Sequence, residues 1–159
     1  MASLGHYFKG GWTLEEKLGL AGASYELAQS LPVVVKYLEG QGWKGVVAHE
    51  VRLQEVLLAY LRSKPEMFTI WGEPMADAGS RVPVVSFTVK GRRSRELVES
   101  MEGRTEFGFR WGHFYSKRLV EGVLGLGEDG VVRVSMVHYN TVEEVERFVK
   151  ALNEEVYNH

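Results

Sequence analysis

A chain of 159 residues, 45% hydrophobic and 11% aromatic, suits one compact domain with a short appendage and a genuine core, which excludes disorder and leaves no room for a second full domain. Nineteen Lys and Arg offset 21 Asp and Glu to a formal charge of −2, so no global positive field attracts phosphate backbones and nucleic acid is not an expected partner. The absence of cysteine removes disulfides, thiolate metal sites and cysteine nucleophiles.

The first eleven residues lack a basic segment followed by an apolar one, and the apolar stretches Leu31 to Val35 and Val82 to Val89 fall far short of a membrane span. A cytoplasmic protein without membrane attachment is therefore expected. Thr13-Leu14-Glu15-Glu16 has capping-box spacing and predicts a short helix, broken by Gly19 and Gly22. From Ser24, the residues Leu27, Leu31, Val34, Val35 and Leu38 recur at helical spacing, and Pro32 predicts a kink or a fresh helix start. Gly40 to Gly45 reads as a linker, dividing an N-terminal helical segment (1–45) from a small α+β domain (46–159) within one compact whole.

Val47, Val51, Leu58 and Leu61 mark a helix that ends near Lys64-Pro65. Phe68 to Trp71 and Pro83 to Val89 read as strands separated by a loop from Gly72 to Arg81, and Ser94 is placed to cap a helix carrying Leu97, Val98 and Met101. Thr105 to Trp111 predicts a third strand and Ser116 to Leu124 a brief helix. Asp129-Gly130 is a turn that leads into a fourth strand, Val131 to Val137. Asn140 or Thr141, with Glu144 as partner, opens a last helix carrying Val145, Phe148, Val149, Leu152 and Val156. The expected fold class is α+β, a mostly antiparallel sheet of about four strands with helices packed on one face.

The densest polar cluster is Arg110-Trp111-Gly112-His113-Phe114-Tyr115, followed by Arg133-Val134-Ser135 and His138-Tyr139-Asn140-Thr141. Arg133 alternates to the face opposite Val132 and Val134, and a half-buried guanidinium there needs an anion, for which its planar fork suits a carboxylate or phosphate. An internal salt bridge to one of the acidic residues would satisfy the same requirement. Trp111, beside Arg110, could cover a bound anion, though tryptophan in such a place is commonly core. No metal is expected, because the position three residues after Glu50 in His49-Glu50 is Leu53 rather than histidine. Lys90 to Arg95 reads as a solvated basic loop.

Gly112-His113-Phe114-Tyr115, Asp129 to Ser135 and His138 to Val145 resemble the small C-terminal domain of class V aminotransferases, especially the cysteine-desulfurase-like branch of fold-type I pyridoxal-phosphate (PLP) enzymes. The resemblance extends to Pro83-Val84-Val85-Ser86-Phe87 and to Tyr25-Glu26-Leu27, covering nearly the whole chain. It implies that Arg133 binds the substrate's α-carboxylate, that Arg110, Gly112 and His113 border the same cleft, and that Asn140-Thr141 is structural. It further implies that Tyr115 stands where true desulfurases carry their cysteine, so sulfur abstraction by the usual route is not expected. The family's cofactor-binding large domain has no counterpart among the motifs, and none of the eight lysines resembles the Schiff-base site. PLP is thus expected only where a large domain accompanies this one, and the chain itself is expected to hold no cofactor.

The leading expectation is a substrate-binding small domain for a small carboxylate or amino-acid-like ligand, silent on its own. One alternative is a stand-alone enzyme using His113, Tyr115 and His138 for acid–base catalysis, with Arg133 and Arg110 as anion anchors. Another is a non-catalytic module that associates as a homodimer or with a partner through the stripe from Leu27 to Leu38.

Overall fold

The computed structural model describes residues 24–157; the helix expected from Thr13 lies outside them. The chain divides into two units, 1–42 and 43–159. No helix among the described residues is long and apolar enough to cross a membrane.

The first unit contributes helix α1 (Tyr25–Gln41), whose N-cap Ser24 accepts a hydrogen bond from the Leu27 N–H. Pro32 lies inside the helix and does not restart it. The ring costs the single bond that residue 32 would donate, while the turns on either side keep theirs. None of the α1 residues is buried, and Leu27, Leu31, Val34 and Tyr37 are all exposed.

In the second unit, α2 (Trp43–Arg62) begins earlier than expected, through Gly45. The linker therefore contracts to Gly42, whose φ of 71° suits glycine. After α2 come β1 (Phe68–Trp71), β2 (Val84–Val89), α3 (Ser94–Arg104), β3 (Arg110–Gly112), a π-helix (Arg118–Val123), β4 (Val131–Ser135) and α4 (Val142–Tyr157). The sheet order is β1-β2-β4-β3, and every pairing is antiparallel. This is the α+β architecture read from the sequence.

Alternation along β2 buries Val85, Phe87 and Val89, and along β4 it buries Val132 and Val134. These side chains meet Leu53, Leu57, Leu58 and Leu61 of α2, Leu97 and Met101 of α3, and Phe148 and Leu152 of α4 in one core. Burying each large apolar side chain contributes about 1.5–3 kcal/mol before entropic costs. The opposite sheet face carries a row set by register: Trp71 opposes Ser86, Ser86 opposes Arg133, and Arg133 opposes Arg110.

Four local expectations change. Ser94 is the first residue of α3 rather than its cap, because the carboxylate of Asp129 accepts from the Ser94 N–H (2.5 Å) and the Arg95 N–H (3.2 Å). The third strand shrinks to three residues, because the Phe107 N–H goes to Thr105 Oγ1 and the Phe109 N–H to Glu102 Oε1 instead of to a ladder. The helix expected from Ser116 is a π-helix, in which the Leu124 N–H reaches back to the Leu119 carbonyl. The fourth strand ends at Ser135, after which the Met136 N–H binds the Pro83 carbonyl.

The last helix opens as a reciprocal capping box: the Glu144 N–H donates to Thr141 Oγ1 (3.1 Å) and the Thr141 N–H to Glu144 Oε2 (2.8 Å). At its far end the buried Glu155 carboxylate is held by Arg92 and Arg104, and Arg92 also donates to the Glu155 carbonyl. Both arginines come from the α3 side, so this clamp ties the end of α4 to α3.

Gly130 has φ 64°, and a Cβ there would lie 2.3 Å from the carbonyl carbon and oxygen of Gly112. Gly103, near the end of α3, has open space around it. Gly130→Ala should therefore lower unfolding stability by roughly 2–4 kcal/mol through overlap and left-handed strain, whereas Gly103→Ala should raise it by about 0.5–1 kcal/mol, both measured by urea denaturation.

The Thr141 N–H, and then the Asn140 side chain, hold the Glu144 carboxyl below its ordinary value. Its contribution to stability is thus complete above the ordinary carboxylate range and lost as pH falls through the lowered folded value. The Tm difference between wild type and Glu144→Gln should be constant near neutrality and close as the pH falls below about 4.

Candidate functional site

Strand β3 runs beside β4 until Gly112, where φ of 123° turns the chain. A four-residue turn follows, closed by the Ser116 N–H on the His113 carbonyl at 2.8 Å. Its two central residues, Phe114 (φ 48°) and Tyr115 (φ 64°), are both left-handed, and they are the two non-glycine residues with positive φ among those described. For bulky L-residues this conformation costs about 1–2 kcal/mol each.

The turn folds Phe114 back over β4, so that the Arg133 guanidinium carbon lies 4.1 Å from the ring centroid. That separation is within cation–π range and contributes about 0.5–2 kcal/mol, enough to offset part of the strain at Phe114. Tyr115 at the tip is fully exposed at 104%, so nothing its side chain touches compensates its backbone.

Arg133 is partly buried, and its Nε is shielded from solvent without a hydrogen-bond partner. No acidic side chain among the described residues pairs with it. Arg110 lies directly opposite in the register, and like charges so placed repel. Arg110, however, is committed elsewhere: it pairs with Glu102 and donates to the Phe109 carbonyl. Arg133 keeps an uncompensated positive charge.

Beside the turn lies a groove of about 540 Å³ lined by Trp111, His113, Phe114, Tyr115, Lys117, Glu121 and Glu128. His113 Nδ1 is buried there without a partner, as is Glu121 Oε1, whose nearest cation is Lys117 Nζ at 3.5 Å. The cation over the Trp111 indole is Arg95, 5.6 Å from the ring centroid, rather than Arg110. His138 stands apart from this groove, in the turn after β4, with its ring edge-on to Tyr139. Its neighbour Asn140 is fixed on three sides: its side-chain oxygen accepts from the Val137 N–H, its amide donates to Glu144, and its carbonyl meets His49 Nε2 at 2.8 Å. Among the described residues no group of three His, Asp or Glu is arranged to hold a metal ion.

The register sets Arg133 opposite Arg110 on the outer face of the sheet, whereas Trp111, opposite Val132, packs on the core side; His113 and Tyr115 follow the end of β3 on a groove whose lining does not include Arg133, and His138 lies beyond the other end of β4. Sequence reasoning missed Phe114 as a contact to Arg133, and it missed Glu121 and Lys117 on the groove. An aromatic residue between Gly112-His113 and Tyr115 was visible, but its left-handed backbone has no sequence signal. The π-helix that presents Glu121 has none either.

Tyr115 makes a clean test of strain. Asparagine tolerates the left-handed region, so Tyr115→Asn should raise unfolding stability by roughly 0.5–1 kcal/mol in chemical denaturation; equal or lower stability would mean that the turn carries no stored strain.

A family model described as Aminotransferase class-V matches residues 26–148. An aminotransferase-like protein of Gibberella zeae is 51% identical over 155 residues, covering 96% of this chain and 38% of that protein. A cysteine desulfurase-like protein of Aspergillus flavus is 39% identical over 156 residues, covering 97% of this chain and 36% of its own length. Among solved structures, the apo cysteine desulfurase of Thermococcus onnurineus shares the fold with a TM-score of 0.76 at 24% identity, over 91% of this chain and 34% of that one. The chain thus spans less than two-fifths of the length of each of these relatives.

Proposed function

Because the chain belongs to the class V aminotransferase family, we propose that it forms the part of a cysteine-desulfurase-like fold that holds the carboxylate of an amino-acid-like substrate, with Arg133 as its anchor. The observation that carries this reading is the uncompensated Arg133 guanidinium, on a central strand, with a buried Nε lacking a partner. An unpaired, partly buried guanidinium is costly unless an anion completes it. A carboxylate accepts two parallel N–H bonds from such a fork, which fixes both the position and the orientation of the ligand.

Phe114 covers one face of the guanidinium, which leaves the N–H edge as the direction of approach. Arg110, neutralised by Glu102, keeps its own charge from competing for the anion. Phe114 also lines the groove beside His113 and Tyr115, where the rest of the ligand would lie.

The residues at this site do not fit PLP itself. Its lysine, Lys117, is exposed and ion-paired to Glu121, whereas a Schiff-base lysine must be held neutral in a shielded pocket. With no cysteine in the chain, there is also no thiolate to accept sulfur. The reading therefore assigns to these residues the binding and orientation of a substrate, and no bond-making step.

The test is calorimetric titration of the 159-residue chain with L-norleucine and with L-norleucinamide, which lacks the carboxylate. The acid should bind at least about tenfold more tightly than the amide, and Arg133→Gln should remove that preference, the loss expected for a charge-assisted hydrogen bond. Equal binding of acid and amide, or an unchanged preference in Arg133→Gln, would refute the carboxylate role.

A further inference from the structure

Phe114 takes part in two places. One side of the residue meets the Arg133 guanidinium, and the same residue lines the groove between the 113–116 turn and the π-helix. On the groove side, two buried side-chain atoms have no hydrogen-bond partner, His113 Nδ1 and Glu121 Oε1. In its Nε2–H tautomer histidine presents Nδ1 as an acceptor, and a carboxylate oxygen can do nothing but accept. Native proteins leave few such atoms unpaired, because each loses its hydration without a bond in return. Two of them on one groove, which shares Phe114 with the unpaired guanidinium, describe a site that is complete when a ligand supplies donors.

The chemistry of that ligand follows from the lining. Its charged groups are Glu121, Glu128 and Lys117, two carboxylates against one ammonium. An ammonium offers three donors and a guanidinium five, so a single cationic head can satisfy both His113 Nδ1 and Glu121 Oε1, where a hydroxyl could donate to one of them. Lys117 Nζ, 3.5 Å from Glu121 Oε1, makes no hydrogen bond to it, and at 60% side-chain exposure it is free to swing out to solvent. A six-residue π-helix presents Glu121; π-helical turns are rare and concentrate at functional sites.

We infer that this groove is a second subsite, which receives the cationic side chain of the amino acid whose carboxylate Arg133 holds. The inference rests on the carboxylate reading above and adds the substrate class: an α-amino acid with a terminal ammonium or guanidinium. Phe114 packs against the apolar stem between the two charged ends, and the exposed Tyr115 closes the rim.

The experiment compares L-lysine with L-norleucine, the same carbon chain without the ammonium, and uses L-arginine as a second cation, each titrated into the 159-residue chain. Both cations should bind at least about tenfold more tightly than norleucine, as a charge-assisted hydrogen bond provides. In Glu121→Gln the lysine-to-norleucine ratio should fall toward one, and in Lys117→Met, where the competing ammonium is gone, it should widen. Arg133→Gln should weaken all three ligands by a similar factor.

If wild type binds lysine and norleucine equally while Arg133→Gln weakens both, the second subsite is refuted and the carboxylate reading stands. If the selectivity survives undiminished in Glu121→Gln, the cation lies elsewhere and the inference likewise fails. If no ligand binds, or binding ignores Arg133→Gln, the carboxylate reading falls and this inference with it. Circular dichroism of each variant separates loss of binding from loss of fold.

Discussion

The backbone contact between Gly112 and Gly130 is the constraint on which the site depends. The two residues form a bridge of their own outside the ladder, at a separation that leaves no room for a Cβ on Gly130. That approach places the end of β3 against the start of β4 and so fixes where the following turn can go. It aims the turn back over the sheet, where Phe114 reaches Arg133. A side chain at Gly130 would push the two strand ends apart and carry the turn away with them.

The same corner is tied to the helical layer by a single carboxylate. Asp129 precedes Gly130 and caps α3 through two backbone N–H groups, while the Ser94 hydroxyl donates to the Gly130 carbonyl at 3.1 Å. Capping groups of this kind contribute about 1 kcal/mol to a helix. Here the cap comes from 34 and 35 residues away in sequence, so it also closes a loop and joins the core helices to the strand that carries Arg133. Packing and site geometry meet in one turn.

How much of this could be read from the sequence depends on the range of the interaction involved. The capping box of α4 was legible because Thr141 and Glu144 lie three residues apart and satisfy each other. The orientation of Arg133 was legible from the period of two in Val132-Arg133-Val134. Ser94 resembles a cap in sequence, but the cap is Asp129, which arrives from a distant turn that no local pattern encodes. The third strand was drawn too long because Thr105 to Phe109 has β-forming residues, yet its donors are taken by Thr105 Oγ1 and Glu102 Oε1. Whether Arg133 met an internal carboxylate was undecidable from spacing; it required knowing that Glu102 goes to Arg110 and that Glu155 goes to Arg92 and Arg104.

Those pairings show how the molecule distributes its charge. The fold places its buried carboxylate, Glu155, between two arginines and binds its α4 end to α3 with that clamp, where neutralisation serves stability. Across β3 and β4 the opposite holds: two arginines face each other, and one of them is left without a carboxylate. In that corner also lie both non-glycine left-handed residues and three of the five buried polar atoms lacking partners among the described residues, those of His113, Glu121 and Arg133. Each feature lowers stability by itself, and none is required by the core, which packs on the other face of the sheet. Strain, unpaired polar atoms and uncompensated charge gathered in one place are features that concentrate at functional sites, which is why this corner supports the carboxylate proposal better than any other part of the sheet.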